Sequence, residues 1–143
     1  MNHLSAYTAG IIDCKSSICI RKRKTKRGIF YQPQIEVSST ENIIPDFLLQ
    51  NYGGSVLTKN RSKYNKNWKD IKIWYLTGTN NIIDFLSKIS PFIRAKKDQV
   101  NIMLNFCNQR KDILKQPKDK VHYTNYQINL YEKLKLLHTG ETK

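Results

Sequence analysis

The sequence predicts an α+β domain: a four-stranded antiparallel sheet with helices on one face and the other face left open. Three observations lead there. Hydrophobic periodicity switches in the order helix, strand, strand, helix, strand, strand, helix, so two β-β-α halves follow an opening helix. The clearest strands alternate apolar with polar side chains, which gives a sheet one dry face and one wet face. And 143 residues suit one domain with one core, here expected over residues 3–109 with a helical extension over residues 121–140.

Residues 4–14 predict the opening helix. Leu4, Ala6, Tyr7, Ile11 and Ile12 fall at helical spacings, and Ser5 can cap its start. Ala9 and Gly10 leave one side almost flat. Gly in a helix costs about 1 kcal/mol relative to Ala, a cost that suits a place where another backbone comes close. Residues 17–24 predict a strand, with Ile18 and Ile20 on one face and Ser17, Cys19, Arg21 and Arg23 on the other. After the basic turn Thr25 to Gly28, residues 29–38 form a second strand. Tyr31, Ile35 and Val37 share one parity; Phe30, Gln32, Gln34 and Glu36 share the other. Pro33 removes a ladder donor, so this strand is expected at an edge or to be locally irregular.

Ser38 to Asn42 is cap chemistry, and a helix follows to about Tyr52, burying Ile43, Ile44, Phe47, Leu48 and Leu49. Pro45 fits its first turn and Gly53-Gly54 ends it. Residues 55–60 and 69–77 make a second strand pair. Trp74 and Leu76 lie on one face; Ile71, Ile73 and Tyr75 lie on the other, so this pair is less clearly two-sided. A third helix, capped near Thr79, carries Ile82, Ile83, Phe85, Leu86 and Ile89 and stops at Pro91. A fourth covers residues 95–109. After the polar stretch Lys111 to Lys120, a last helix runs from about Thr124 with Tyr126, Leu130, Leu134 and Leu137 inward and Gly140 as its stop.

Lys and Arg number 25 against 11 Asp and Glu, a net charge of +14. Such an excess implies a polyanionic partner, nucleic acid first and an anionic membrane surface second. The basic residues fall on strands and loops rather than along one amphipathic helix, which argues against the membrane. No run of 18 apolar residues and no signal-peptide pattern is present, so an intracellular protein is expected. Lys, Ile and Asn are over-used; their A/T-rich codons suggest an AT-rich phage, organelle or bacterial genome. Cys14, Cys19 and Cys107 are odd in number and lack metal-site spacing, as do the scattered His3, His122 and His138, so no disulfide framework or metal site is expected from them.

An antiparallel ribbon fits the major groove, where alternate side chains meet base edges. The expected readers are Ser17, Cys19, Arg21 and Arg23 on the first strand and Gln32, Gln34 and Glu36 on the second. Arg suits guanine, Gln suits adenine, and Glu accepts from cytosine. Lys22, Lys24, Lys26 and Arg27 are placed for phosphates, which position without specifying. Lys59, Arg61 and Tyr75 of the second pair complete the expected DNA contacts.

Thr8-Ala9-Gly10-Ile11-Ile12-Asp13-Cys14-Lys15-Ser16 resembles the motif of the LAGLIDADG homing endonucleases. The two strands after it, the Gly53-Gly54-Ser55-Val56 turn and strand, Pro91 to Gln99, Asn101 to Phe106 and the Tyr123 to Gly140 helix resemble further family segments, in order, over nearly the whole chain. The resemblance implies the αββαββα fold, with DNA bound on the open sheet face. A single motif implies a homodimer, its helices meeting at Ala9, Gly10, Ile12 and Asp13, on a long near-palindromic duplex site. In active members an acid near the motif's end holds a divalent metal that activates water.

This chain departs there. The acid position is Lys15 and the following Gly is Ser16. Carboxylates are hard oxygen ligands for Mg²⁺, whereas a protonated Lys has no lone pair to give. Asp13 matches the motif's earlier, mainly structural acid; Lys96 matches the basic residue of the cleavage pocket; Ser39 falls near a polar position that orients water. The expected pocket is therefore Lys96, Ser39 and Asp13, with Lys15 in the acid's place, and Mg²⁺ only if cutting survives. The resemblance thus implies a DNA-binding dimer with cleavage lost or impaired. The alternatives are an active Mg²⁺-dependent double-strand endonuclease, or an RNA maturase or transcriptional regulator on the same scaffold.

Overall fold

A computed structural model describes residues 3–26, 28–113 and 123–139. Arg27, Val121, His122 and Gly140 lie outside the described residues, as do residues 114–120 of the polar stretch. The element order is α1 (His3–Lys15), β1 (Ser16–Thr25), β2 (Gly28–Ser39), α2 (Ile43–Tyr52), β3 (Ser55–Lys59), β4 (Ile71–Thr77), α3 (Thr79–Ile89), α4 (Lys97–Ile113) and α5 (Asn125–Thr139). The four strands form one antiparallel sheet in the order β1-β2-β4-β3. The expected α+β architecture is therefore present, and its core lies between the sheet and the helices.

The sheet sends Ile18, Ile20, Tyr31, Ile35, Val37, Trp74 and Leu76 into that core. The helices meet them with Ala9, Ile11 and Ile12 of α1, Leu48 of α2, Ile82, Phe85, Leu86 and Ile89 of α3, and Val100, Met103, Phe106 and Cys107 of α4. Trp74 is fully buried, yet its indole N–H is satisfied by the Gly53 carbonyl at 2.7 Å. The same turn needs glycine at 54: its φ is +88°, and a Cβ there would run into the Tyr75 carbonyl oxygen. No helix among the described residues is long and apolar enough to cross a membrane.

Pro33 sits where β4 pairing begins. β2 pairs with β4 only from Gln34 to Ser39, whereas it pairs with β1 from Gly28 to Val37. The strand is thus central at one end and an edge at the other, and the edge tolerates the missing donor. The Tyr123 hydroxyl accepts from the Tyr31 N–H (3.2 Å) and donates to the Tyr31 carbonyl (3.3 Å) on this edge stretch. Tyr31 also meets the rings of Tyr123 and Tyr131, each 4.9 Å away.

Three expectations need correction. In α2, Ile43 is 73% exposed and Leu49 41% exposed; the buried residues are Pro45 and Leu48, with Ile44 and Phe47 beside them. A ten-residue helix lying on one layer buries only a narrow stripe. In α5, Tyr126 is exposed and Gln127 is buried, so the inward stripe is Gln127, Leu130 and Leu134. The reason is a capping box: the Gln127 side-chain oxygen accepts from the Thr124 N–H (2.7 Å), and the Thr124 hydroxyl accepts from the Gln127 N–H (3.3 Å). Thr79, expected to cap α3, instead accepts a hydrogen bond from the Arg110 guanidinium at 2.6 Å, which ties α3 to α4.

Candidate nucleic-acid interface

The strand register decides which side chains share the open face. Ser17, Glu36, Tyr75 and Ser55 form one rung across all four strands. Cys19, Gln34 and Thr77 form the next; Arg21 pairs with Gln32 and Arg23 with Phe30 further along the β1–β2 hairpin. On the same face, in the opposite direction along the strands from the Ser17 rung, Ser38, Ile73 and Leu57 form a rung, and Ile71 pairs with Lys59. A shallow groove of about 560 Å³ crosses this face, lined by Arg21, Arg23, Gln32, Gln34, Tyr75 and Thr77 among others. The expected readers are thus brought together on one surface.

They are not independent of one another. The Arg21 guanidinium lies 2.6 Å from the Glu36 carboxylate, and the Gln34 amide donates to the same oxygen. Glu36 raises the Arg21 pKa and holds its charge in place. Gln34 is consequently recessed, only 7% exposed, so Arg21 rather than Gln34 stands forward. Burial, and then the Glu36 charge, push the Cys19 thiol up, keeping it a neutral weak donor rather than a thiolate. Lys22, Lys24 and Lys26 are exposed along the hairpin and its turn. At the far end Lys59 is exposed, and Arg61 lies over the Trp68 ring at 5.3 Å, an arrangement that orders the β3–β4 loop by cation–π attraction.

Where α1 hands over to β1, Asp13 is fully engaged. Its carboxylate accepts from three successive main-chain N–H groups: Arg94 (2.9 Å), Ala95 (3.2 Å) and Lys96 (3.1 Å). It pins the loop that leads into α4. Lys96 turns back and donates its ammonium to the Ser16 carbonyl, with the Ser16 hydroxyl 3.4 Å away. Burial lowers the Lys96 pKa, a drift that the Asp13 charge opposes. Lys15 is exposed. Ser39 lies at the same end of the sheet, two residues beyond Val37, the partner of Ser16. Its hydroxyl is buried and accepts from the Glu41 N–H at 3.0 Å.

These groups do not suit a divalent cation. Lys15 offers no lone pair, Asp13 has both oxygens committed, and among the described residues no three His, Cys, Asp or Glu side chains group to hold a metal. The expected dimer seam also needs correction. Ala9 and Ile12 are fully buried inside this chain and face its own core. The open side of α1 carries Ala6, Gly10 and Cys14, one helical turn apart, with Tyr7 leaning on Phe47 at 5.0 Å. Gly10 has empty space where a Cβ would sit.

Reading parity alone left out Ser55, Leu57, Ile71, Ile73 and Thr77. The signal was there in the alternation of residues 71–77, but only pairing with β2 tells which parity faces out.

No protein-family model matches the chain, and no curated protein matches it. Solved structures do. The homing endonuclease I-CvuI, in complex with a DNA target, superposes with a TM-score of 0.75 at 18% identity, over 97% of this chain and 84% of that one. The archaeal intron-encoded homing endonuclease I-Vdi141I, complexed with DNA, gives 0.70 at 16% identity, over 97% and 84%. The LAGLIDADG homing endonuclease I-GzeII, in complex with its DNA target, gives 0.66 at 12% identity, over 91% of this chain and 42% of that one. This chain has the fold of the LAGLIDADG homing endonucleases.

Proposed function

We propose that this chain binds duplex DNA sequence-specifically as a homodimer on a long near-palindromic site, and that it has lost phosphodiester cleavage. The observation that carries the reading is the open sheet face. Arg21, Arg23, Gln32 and Glu36 present donors and acceptors on one surface, with exposed lysines along its border. Phosphate contacts from Lys22, Lys24, Lys26 and Lys59 set the register on the duplex, and the forward side chains of β1 and β2 read base edges. A ten-residue ribbon spans roughly 33 Å, or about nine to ten base pairs, so two copies cover a site of about 20. The flat, open stripe Ala6, Gly10 and Cys14 is the part of α1 that a second copy can approach.

Loss of cleavage follows from Lys15. In a homodimer the acid is missing twice, and Asp13 is held away by the loop it anchors. Lys15, at the negative end of its helix, is instead placed to meet a phosphate. DNA selected from a random duplex pool, then incubated with protein and Mg²⁺, tests both halves. The expected result is a two-fold-related site that stays intact. Absence of enrichment would remove the binding reading; a linearised plasmid would remove the loss of cleavage.

A further inference from the structure

One patch of the open face, on β3 and β4, is apolar. Leu57 on β3 is 53% exposed, and opposite it on β4 stands Ile73, with Ile71 one rung on. These are not residues turned out by accident of a loop; they lie in register on the same surface as Glu36 and Tyr75. Proteins seldom leave apolar side chains of a sheet face open to water without a partner, and this patch sits on the outermost strand pair. A partner lying on the open face would cover it.

The surroundings specify the partner's chemistry. Lys59, Lys63, Lys66 and Lys69 are exposed at the end of β3 and along the loop to β4, so whatever covers the patch is anionic at its margin. The rung beside Leu57 and Ile73 is Ser55 and Tyr75, two hydroxyls. An apolar spot next to hydrogen-bonding groups, inside a cationic frame, matches the major-groove edge of thymine. That base places its 5-methyl, the one apolar group of the groove, next to the O4 acceptor. Side chains two apart on β4 are about 6.6 Å apart, close to two base-pair steps of 3.4 Å.

We infer that Leu57 and Ile73 are specificity residues that read thymine methyl groups, with Ser55 and Tyr75 reading the acceptor beside them. The sheet then divides its labour: the β1–β2 half selects by charge and amide, and the β3–β4 half selects A·T pairs by methyl contact. The inference rests on the duplex-binding proposal above and deepens it.

Deoxyuridine differs from thymidine only by that methyl. The experiment therefore takes the selected duplex, replaces each thymidine singly with deoxyuridine, and measures affinity for the full chain and for Leu57→Ser and Ile73→Ser. The expected result is a loss of about threefold to fivefold at one or two base pairs per half-site, as for one buried methyl. In Leu57→Ser or Ile73→Ser, thymidine and deoxyuridine should bind equally at those positions. Leu57→Ser changes a half-exposed edge residue and keeps the test alive if Ile73→Ser folds poorly. Indifference to deoxyuridine everywhere overturns the inference while leaving duplex binding intact. So does a deoxyuridine penalty that persists unchanged in both variants. Failure to bind any duplex would instead remove the proposal on which the inference stands.

Discussion

At the scale of single residues, two neighbours on one helical turn have opposite fates. Asp13 is spent on structure: the main-chain N–H groups of Arg94, Ala95 and Lys96 converge on it. Asp13→Ala should cost about 1 kcal/mol, since two exposed amides and one part-buried amide would lose their charged acceptor. Hydrogen exchange at the amides of residues 94–96 should accelerate more than at β2; equal acceleration everywhere would mean a global effect instead. Lys15, two residues on, is exposed and carries its charge into the open. Lys15→Asp returns a hard oxygen ligand to that position in both copies of a dimer. It should confer Mg²⁺-dependent cutting of the selected site, whereas Lys15→Ala should not. Tight binding without cutting in Lys15→Asp would show that Lys96 and Ser39, now committed to the Ser16 carbonyl and the Glu41 amide, no longer serve chemistry.

At the scale of elements, the β1–β2 hairpin reaches beyond β4, and its outer backbone needs a partner that the sheet does not supply. Tyr123 supplies it, bracing both main-chain groups of Tyr31 from just before α5. Tyr123→Phe keeps the ring contacts with Tyr31 and Phe106 and removes only the hydroxyl. It should cost about 1 kcal/mol, and proton exchange at Tyr31 should rise selectively. This brace was not legible in the sequence, because it joins residues 92 positions apart. What was legible was local. The strand alternation of residues 17–24 and 29–38, the Gly53-Gly54 stop and the break at Pro91 all act over a few residues, and the elements follow them. The Thr124-x-x-Gln127 capping box was equally local; the leucine spacing placed Leu130 and Leu134 inward correctly but drew attention past it, so only the first residue of the stripe, Tyr126 for Gln127, came out wrong. The site divided in the same way. Parity placed Arg21, Gln32 and Glu36 on one face, while the Arg21–Glu36–Gln34 cluster and the inward turn of Ala9 and Ile12 depend on packing that spacing does not encode.

At the scale of the whole molecule, the question is how a second copy would sit. The three thiols make a ruler for it. Cys107 is buried in the core and should not react in the folded chain. Cys19 is half-buried on the sheet face, and burial together with Glu36 raises its pKa, so at pH 8 its thiolate fraction stays below that of an ordinary cysteine. Cys14 is exposed on the open stripe of α1 with Ala6 and Gly10. In a dimer that meets along this stripe, Cys14 becomes covered while Cys19 does not. Alkylation at pH 8 should therefore be fast at Cys14 in dilute protein and slow several-fold as concentration rises, with the Cys19 rate unchanged. Adding the selected duplex should slow both, Cys19 because DNA covers the sheet face and Cys14 because a two-fold site draws two copies together along α1. Gly10→Leu should then restore fast labelling of Cys14 at high concentration: its side chain enters open space in one chain and would obstruct only a partner. A Cys14 rate independent of concentration, with and without duplex, would put any dimer contact elsewhere on the molecule.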